Sequence, residues 1–312
     1  MTFSLLSVIW GVPYLFIRIA VRGGVPPLVL AWARVSMASV ILLALAAQAG
    51  KLPALRGRWR AIVAYAVAEV TLPFPLIAFG EQRVASSLAA IVIASVPLIM
   101  AVIAIRFDQT ERPTALRAVG LAVGFAGVVA LVGIDVAGSA GALLGTAAVL
   151  VAAVGYAIGP MIIKHRLSGL DARATMGASL GVAALLLAPL AFLTWPQRTP
   201  SAGAIGSVVV LGVVCTAAAF MILPVLVAEV GPTRMSVITY VNPVVAVILG
   251  VVLLGEHPGA GAVAGLLLIL AGSWLSTGGG VPPGLTRLAW RRRQGSLERT
   301  PDTAPLGESA VS

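Results

Sequence analysis

Ten apolar runs separated by glycine, proline or charge account for most of the chain. They cover residues 3–21, 28–47, 61–80, 85–105, 117–134, 142–163, 174–194, 205–226, 234–254 and 262–276. A hydrocarbon layer about 30 Å thick is crossed by about 20 apolar residues in a helix, and the runs approach or reach that length. They are apolar on every side, which predicts helices set in lipid and packed on one another. The breaks carry Gly23-Gly24 with Pro26-Pro27, Lys51 to Arg60, Asp108 to Arg112, Asp135, Lys164 to Arg173, Pro196 to Pro200, and Glu256 to Pro258. Such residues end helices or resist burial in lipid. The pattern predicts an all-α polytopic membrane protein of ten transmembrane helices.

Composition agrees. Of 312 residues, 59% are hydrophobic and 10% charged, too little charge to clothe a soluble domain of this length. The 34 glycines allow helices to approach closely. Lys and Arg number 21 against 11 acids. That excess falls in short loops between apolar runs, so it reads as a topology signal and implies no nucleic-acid partner. With the N-terminus in the cytoplasm, inside segments hold 16 basic residues and outside segments hold 3, namely Arg22, Arg83 and Arg198. Arg18 and Arg34 lie within runs. The asymmetry predicts both termini in the cytoplasm. Residues 277–312 turn Gly/Pro-rich, then basic at Arg291 to Arg293, then polar, as expected of a disordered cytoplasmic tail. The first run starts at Phe3 with no basic segment before it and carries Arg18, so it reads as a retained helix, not a signal peptide. Cys215 is the single cysteine, and His165 and His257 fall in breaks. No intrachain disulfide, metal site or cofactor is implied.

The halves of the chain resemble each other. At an offset of 146, Trp10 meets Tyr156, Arg18 meets Lys164, Phe74 meets Phe220, Val84 meets Val230 and Pro97 meets Pro243. At an offset of 145, the stretch from Glu111 to Gly127 meets that from Glu256 to Gly272 with 7 identities in 17 positions, Pro113 and Pro258 among them. Five helices per copy is an odd number, so the second copy enters the membrane upside down. The predicted architecture is two inverted five-helix repeats, 3–134 and 142–276, followed by the 277–312 tail. Inverted repeats serve secondary transporters, because two similar halves can exchange conformations around a midplane site.

Several residues carry a known pattern: Trp10-Gly11 followed by Arg18, Arg34 in the second run, and the stretch from Tyr240 through Asn242-Pro243 and Gly255-Glu256 to Gly265 and Gly272. Over residues 3–276 the chain resembles the EamA branch of the drug/metabolite transporter superfamily. One departure is Phe107-Asp108-Gln109-Thr110-Glu111, more polar and one residue longer than the usual Leu-Gly-Glu. The resemblance implies a permease or exporter for small metabolites, often amino acids, proton-coupled or exchanging. It also implies a bacterial inner-membrane location and a monomer or homodimer in the lipid bilayer.

Glu69 heads the candidate chemistry. It lies about eight residues into its run, roughly 12 Å deep. A carboxyl there costs roughly 2.5–3.5 kcal/mol to insert, so a proton-carrying role and a packed, hydrogen-bonded neutral role are both open. Its repeat counterpart is Cys215. Tyr65 stands one turn before it, and Pro73 and Pro75 follow, as a ligand-facing break or a simple kink. Arg34 fits a clamp for a substrate carboxylate, a counter-ion for Glu69, or a snorkelling side chain. Trp10, Tyr14 and Arg18 share a helix face, as do Tyr156, Pro160 and Lys164; these stripes line a cavity or anchor the interface. Tyr240 and Asn242 precede Pro243, which with Pro97 is a hinge or site position. Glu111 and Glu256 read as helix-start caps or loop charges. A membrane enzyme is disfavoured by the lack of in-run His, paired Asp, a Gly-x-Ser-x-Gly elbow or a phosphate loop. A non-transporting receptor or assembly partner would leave the repeat unexplained.

Overall fold

The computed structural model describes residues 2–107, 115–222 and 238–276, with side chains described over 5–103, 115–222 and 241–276. Among the described residues, eight apolar helical segments are long enough to cross a membrane: Leu5–Arg22, Pro27–Gln48, Trp59–Glu81, Ser86–Ile103, Ala115–Val136, Ala140–Leu167, Ala172–Leu193 and Ala202–Ile222. Two shorter ones, Val241–Leu254 and Ala260–Ser276, follow. We refer to these as the first to tenth helices. No strand occurs among the described residues. The protein is an all-α polytopic membrane protein.

Lipid tails are as apolar as leucine, so helices in a bilayer associate through close packing, and small residues mark where they meet. The fifth and tenth helices show this best. A Cβ added at Gly120 or Gly272 would strike backbone atoms of the facing helix, and one at Gly127 would lie 2.9 Å from the Gly265 carbonyl oxygen. Ser39 of the second helix donates to the Gly177 carbonyl of the seventh at 2.9 Å. Gly11 presses the first helix onto Val245 and the Asn242 carbonyl of the ninth. Buried aliphatics fill two clusters between the seams. One includes Ile17, Leu30, Leu98 and Ile269, the other Leu42, Leu180 and Leu187.

Several helices are interrupted. The first divides at Val12 into Thr2–Gly11 and Pro13–Arg22, because Pro13 has no N–H to continue the ladder. The fourth turns at Ala94-Ser95 before Val96–Phe107, with Pro97 in the first turn of the new helix. The third and eighth widen into π turns at Val67–Thr71 and Val213–Ala218. The start of each is separated by 146 residues, the offset of the sequence repeat. Pro243, the counterpart of Pro97, lies inside an unbroken helix. Sequence placed the end of the sixth run at 163. The helix instead continues through a π turn, Ile163–Leu167, so His165 stands on the helix with Nδ1 2.9 Å from the Met161 carbonyl oxygen.

Two carboxylates tie one end of the bundle together. Glu256, in the loop after the ninth helix, accepts from Ser86 N (2.8 Å), Ser86 Oγ (2.9 Å) and Ser87 N (3.0 Å) at the start of the fourth. Burial pushes this carboxyl up, but the hydrogen bonds from Ser87 and Ser86 outweigh it and hold Glu256 below the usual carboxylate range. Asp135, closing the fifth helix, accepts from Gly261 N (3.2 Å) and Ala262 N (2.5 Å) at the start of the tenth. Each carboxylate meets the unpaired N–H groups and positive end of a helix dipole. Glu256 therefore caps a distant helix and not its own.

Candidate functional site

Arg34 is the best-defined element of the interior. The second helix carries it inward until it is only 8% exposed. Nε donates to Thr216 Oγ1 at 2.8 Å, and the guanidinium lies 4.1 Å from the centroid of the Phe74 ring. Thr216 belongs to the π turn of the eighth helix, and its hydroxyl donates to the Leu211 carbonyl at 2.8 Å. The wider turn leaves carbonyls that an α-helix would have occupied. Arg34 is thus held at one nitrogen and one face. Its remaining N–H groups make no hydrogen bond or ion pair among the described residues, which is the arrangement that receives an anion bidentately. Tyr14, Tyr156, Cys215 and Glu81 lie within electrostatic reach.

Glu69 sits in the π turn of the third helix. Glycines of the sixth helix admit it: a Cβ at Gly159 would overlap the Glu69 carboxylate, and one at Gly155 would overlap the Ala68 carbonyl oxygen. Glu69 is partly buried, and its Oε2 is sealed without a hydrogen-bond partner among the described residues. No ion pair joins Arg34 to Glu69 among the described residues. Tyr156 stands within reach of both. Tyr65 is 4% exposed and directs its hydroxyl to Met176 Sδ at 3.4 Å, not to Glu69.

The structure therefore brings Tyr14, Arg34 and Tyr156 together, with Glu69 and Tyr65 beyond Tyr156. Pro73 opens the helical stretch just past the Glu69 turn. Trp10, half-buried, adjoins the seam of Gly11 and Asn242, between the first and ninth helices. Pro160 and Lys164 are exposed. The side chain of Tyr240, and Glu111 altogether, lie outside the described residues.

One group was missed from sequence. Glu81, at the end of the third helix, is 0% exposed, and neither carboxylate oxygen has a hydrogen-bond partner among the described residues. The nearby Arg18 donates through Nη1 to the Glu81 main-chain carbonyl instead. Glu81 falls one residue past the third apolar run, where it reads as a loop charge. Thr216 was missed as well, because a threonine in an apolar run gives no signal of its partner.

Comparison with known proteins agrees with this architecture. The model of the EamA-like transporter family matches the chain twice, over residues 1–133 and 143–278. The chain is 32% identical over 260 residues to the uncharacterized inner membrane transporter YedA of Escherichia coli strain K12, covering 80% of this chain and 81% of that protein. The same identity holds to YedA of strain O157:H7. A solved crystal structure of a protein 21% identical superposes with a TM-score of 0.64 over 88% of this chain and 96% of its own, a likeness of fold.

Proposed function

Because the chain belongs to the EamA-like transporter family and is a membrane transporter, we propose that it carries small carboxylate-bearing metabolites, amino acids and related compounds, by alternating access. The observation that supports this reading is Arg34: a buried guanidinium, fixed by Thr216 and Phe74, with its other donors uncommitted. Such a group binds a carboxylate at two points and leaves the rest of the ligand to Tyr14 and Tyr156. The partly buried Glu69 takes and releases the coupling proton. The repeats 3–134 and 142–276 enter the membrane in opposite orientations and rock against each other, with both termini in the cytoplasm of the bacterial inner membrane. Ten helices enclose a pathway within one chain, so a monomer suffices.

The test is counterflow into proteoliposomes with a pool of labelled amino acids. Uptake above empty liposomes is expected, with loss in Arg34→Gln. Glu69→Gln should keep exchange but lose dependence on an imposed pH gradient. Uptake that survives Arg34→Gln unchanged removes the clamp, and unchanged pH dependence in Glu69→Gln removes the proton role.

A further inference from the structure

At one end of the bundle, the loop after the first helix and the loop after the seventh enclose an open cavity of about 720 Å³. Arg22, Gly23, Trp195, Gln197, Arg198 and Thr199 are among the residues lining it. The two loops are tied by the Ser201 N–H, which donates to the Gly23 carbonyl at 3.1 Å. Neither Arg22 nor Arg198 makes a hydrogen bond or ion pair among the described residues. Only three basic residues fall in the loops on this side of the chain, and two of them face this one cavity. The third, Arg83, is already engaged: it donates to the Phe79 carbonyl at 3.0 Å and lies 3.5 Å from the Phe79 ring centroid.

Beside the cavity stands an aromatic cluster. Trp32 lies 5.2 Å from Phe192 and 6.3 Å from Trp195 between ring centroids, and Phe192 stacks on Trp195 at 5.9 Å. Such rings settle at the level of lipid headgroups. Below them, Leu186, Leu190 and Leu193 follow one helix face at 45%, 49% and 82% exposure. That stripe offers a track for an acyl chain leading up to the two arginines.

We propose that this cavity binds the headgroup of an anionic phospholipid, its phosphate between Arg22 and Arg198 and a chain along the leucine stripe. Basic pockets between membrane helices hold anionic headgroups by charge, and a guanidinium fork fits a phosphate at two points. The site lies apart from Arg34 and does not depend on what is transported.

The test uses the full-length protein purified in neutral detergent, with retained lipid counted by native mass spectrometry. Phosphatidylglycerol should be retained over phosphatidylcholine. Arg22→Gln and Arg198→Gln should each lower retention about fivefold, with Arg83→Gln unchanged and soluble glycerol 3-phosphate displacing nothing. The lysine pair, Arg22→Lys with Arg198→Lys, keeps the charge but loses the fork and should retain lipid at a level between wild type and the glutamine variants. Melting in lipid-free detergent should match wild type for every variant used, so that a folding defect is not mistaken for lost binding. Equal retention of the two lipids, an equal effect of Arg83→Gln, or displacement by glycerol 3-phosphate alone would each overturn the proposal; the last would assign the cavity to a soluble phosphate.

Discussion

Arg34 shows how much a single contact can decide. Thr216 holds Nε and Phe74 lies against the guanidinium, so the group is fixed at one nitrogen and one face. Lysine has the charge but not the fork. Arg34→Lys should weaken half-saturation for a carboxylate substrate by about tenfold or more, measured by counterflow, with unfolding little changed. Thr216→Val keeps the volume and removes the acceptor. It leaves a buried donor unpaired at about 1–3 kcal/mol, so thermal unfolding should fall while the charge remains. A carboxylate clamp requires the lysine variant to suffer in affinity more than in stability; the reverse pattern would make Arg34 a packing residue. Sequence singled out Arg34 and Glu69 because charge inside an apolar run is costly wherever it points. It did not give their partners. Glu69 rests against a glycine, Gly159, and Arg34 rests on a threonine and a phenylalanine, residue types that occur throughout such runs.

The same limit applies to whole elements. Ten runs, their breaks and the 146-residue offset were legible because lipid demands length and apolarity, and loops demand the opposite. The π turns of the third and eighth helices were not. A π turn adds one residue to a helical turn, and in a run that is apolar on all faces no polar stripe records the slip. Only the structure shows Val67–Thr71 and Val213–Ala218 at equivalent places, one holding Glu69 and the other Thr216. Deleting Val214, which is 40% exposed, should return the eighth helix to α geometry and turn Thr216 away from Arg34. Transport should drop at least tenfold in counterflow while the protein still purifies as a single species. Full activity in the deletion would mean the π turn is incidental. The seam of the fifth and tenth helices is a packing element. Gly272→Ala places a methyl against the backbone of the facing helix and should lower the unfolding free energy by about 1–3 kcal/mol, with substrate selectivity unchanged.

At the scale of the whole molecule, the Glu256 cap crosses between the two family-matched stretches, and the Asp135 cap ties the segment that joins them to the second. Glu256 of the second holds the start of the fourth helix in the first, and Asp135, in the segment between the two stretches, holds the start of the tenth in the second. Separating the two stretches at this end therefore breaks the Glu256 hydrogen bonds to Ser86 and Ser87. This contact depends on an ionised Glu256, since a protonated Glu256 accepts more weakly from the Ser86 and Ser87 N–H groups. Glu256 is held below its unfolded value, near 4.3, so the folded form favours the ionised carboxylate. Its contribution is complete above that value and is lost as pH falls through the depressed one. Thermal unfolding in detergent should accordingly be flat in this respect from pH 7 to about 5 and decline below about 4. Glu256→Gln should start lower at pH 7, by about 1 kcal/mol for a lost cap, and show a shallower acid decline. With the latch weakened, the variant should also spend more time open at this end, read as faster labelling of a cysteine placed at Ser87 in a Cys215→Ala background. Wild-type melting in Glu256→Gln at pH 7, with unchanged labelling, would show that the halves are held here by helix packing alone.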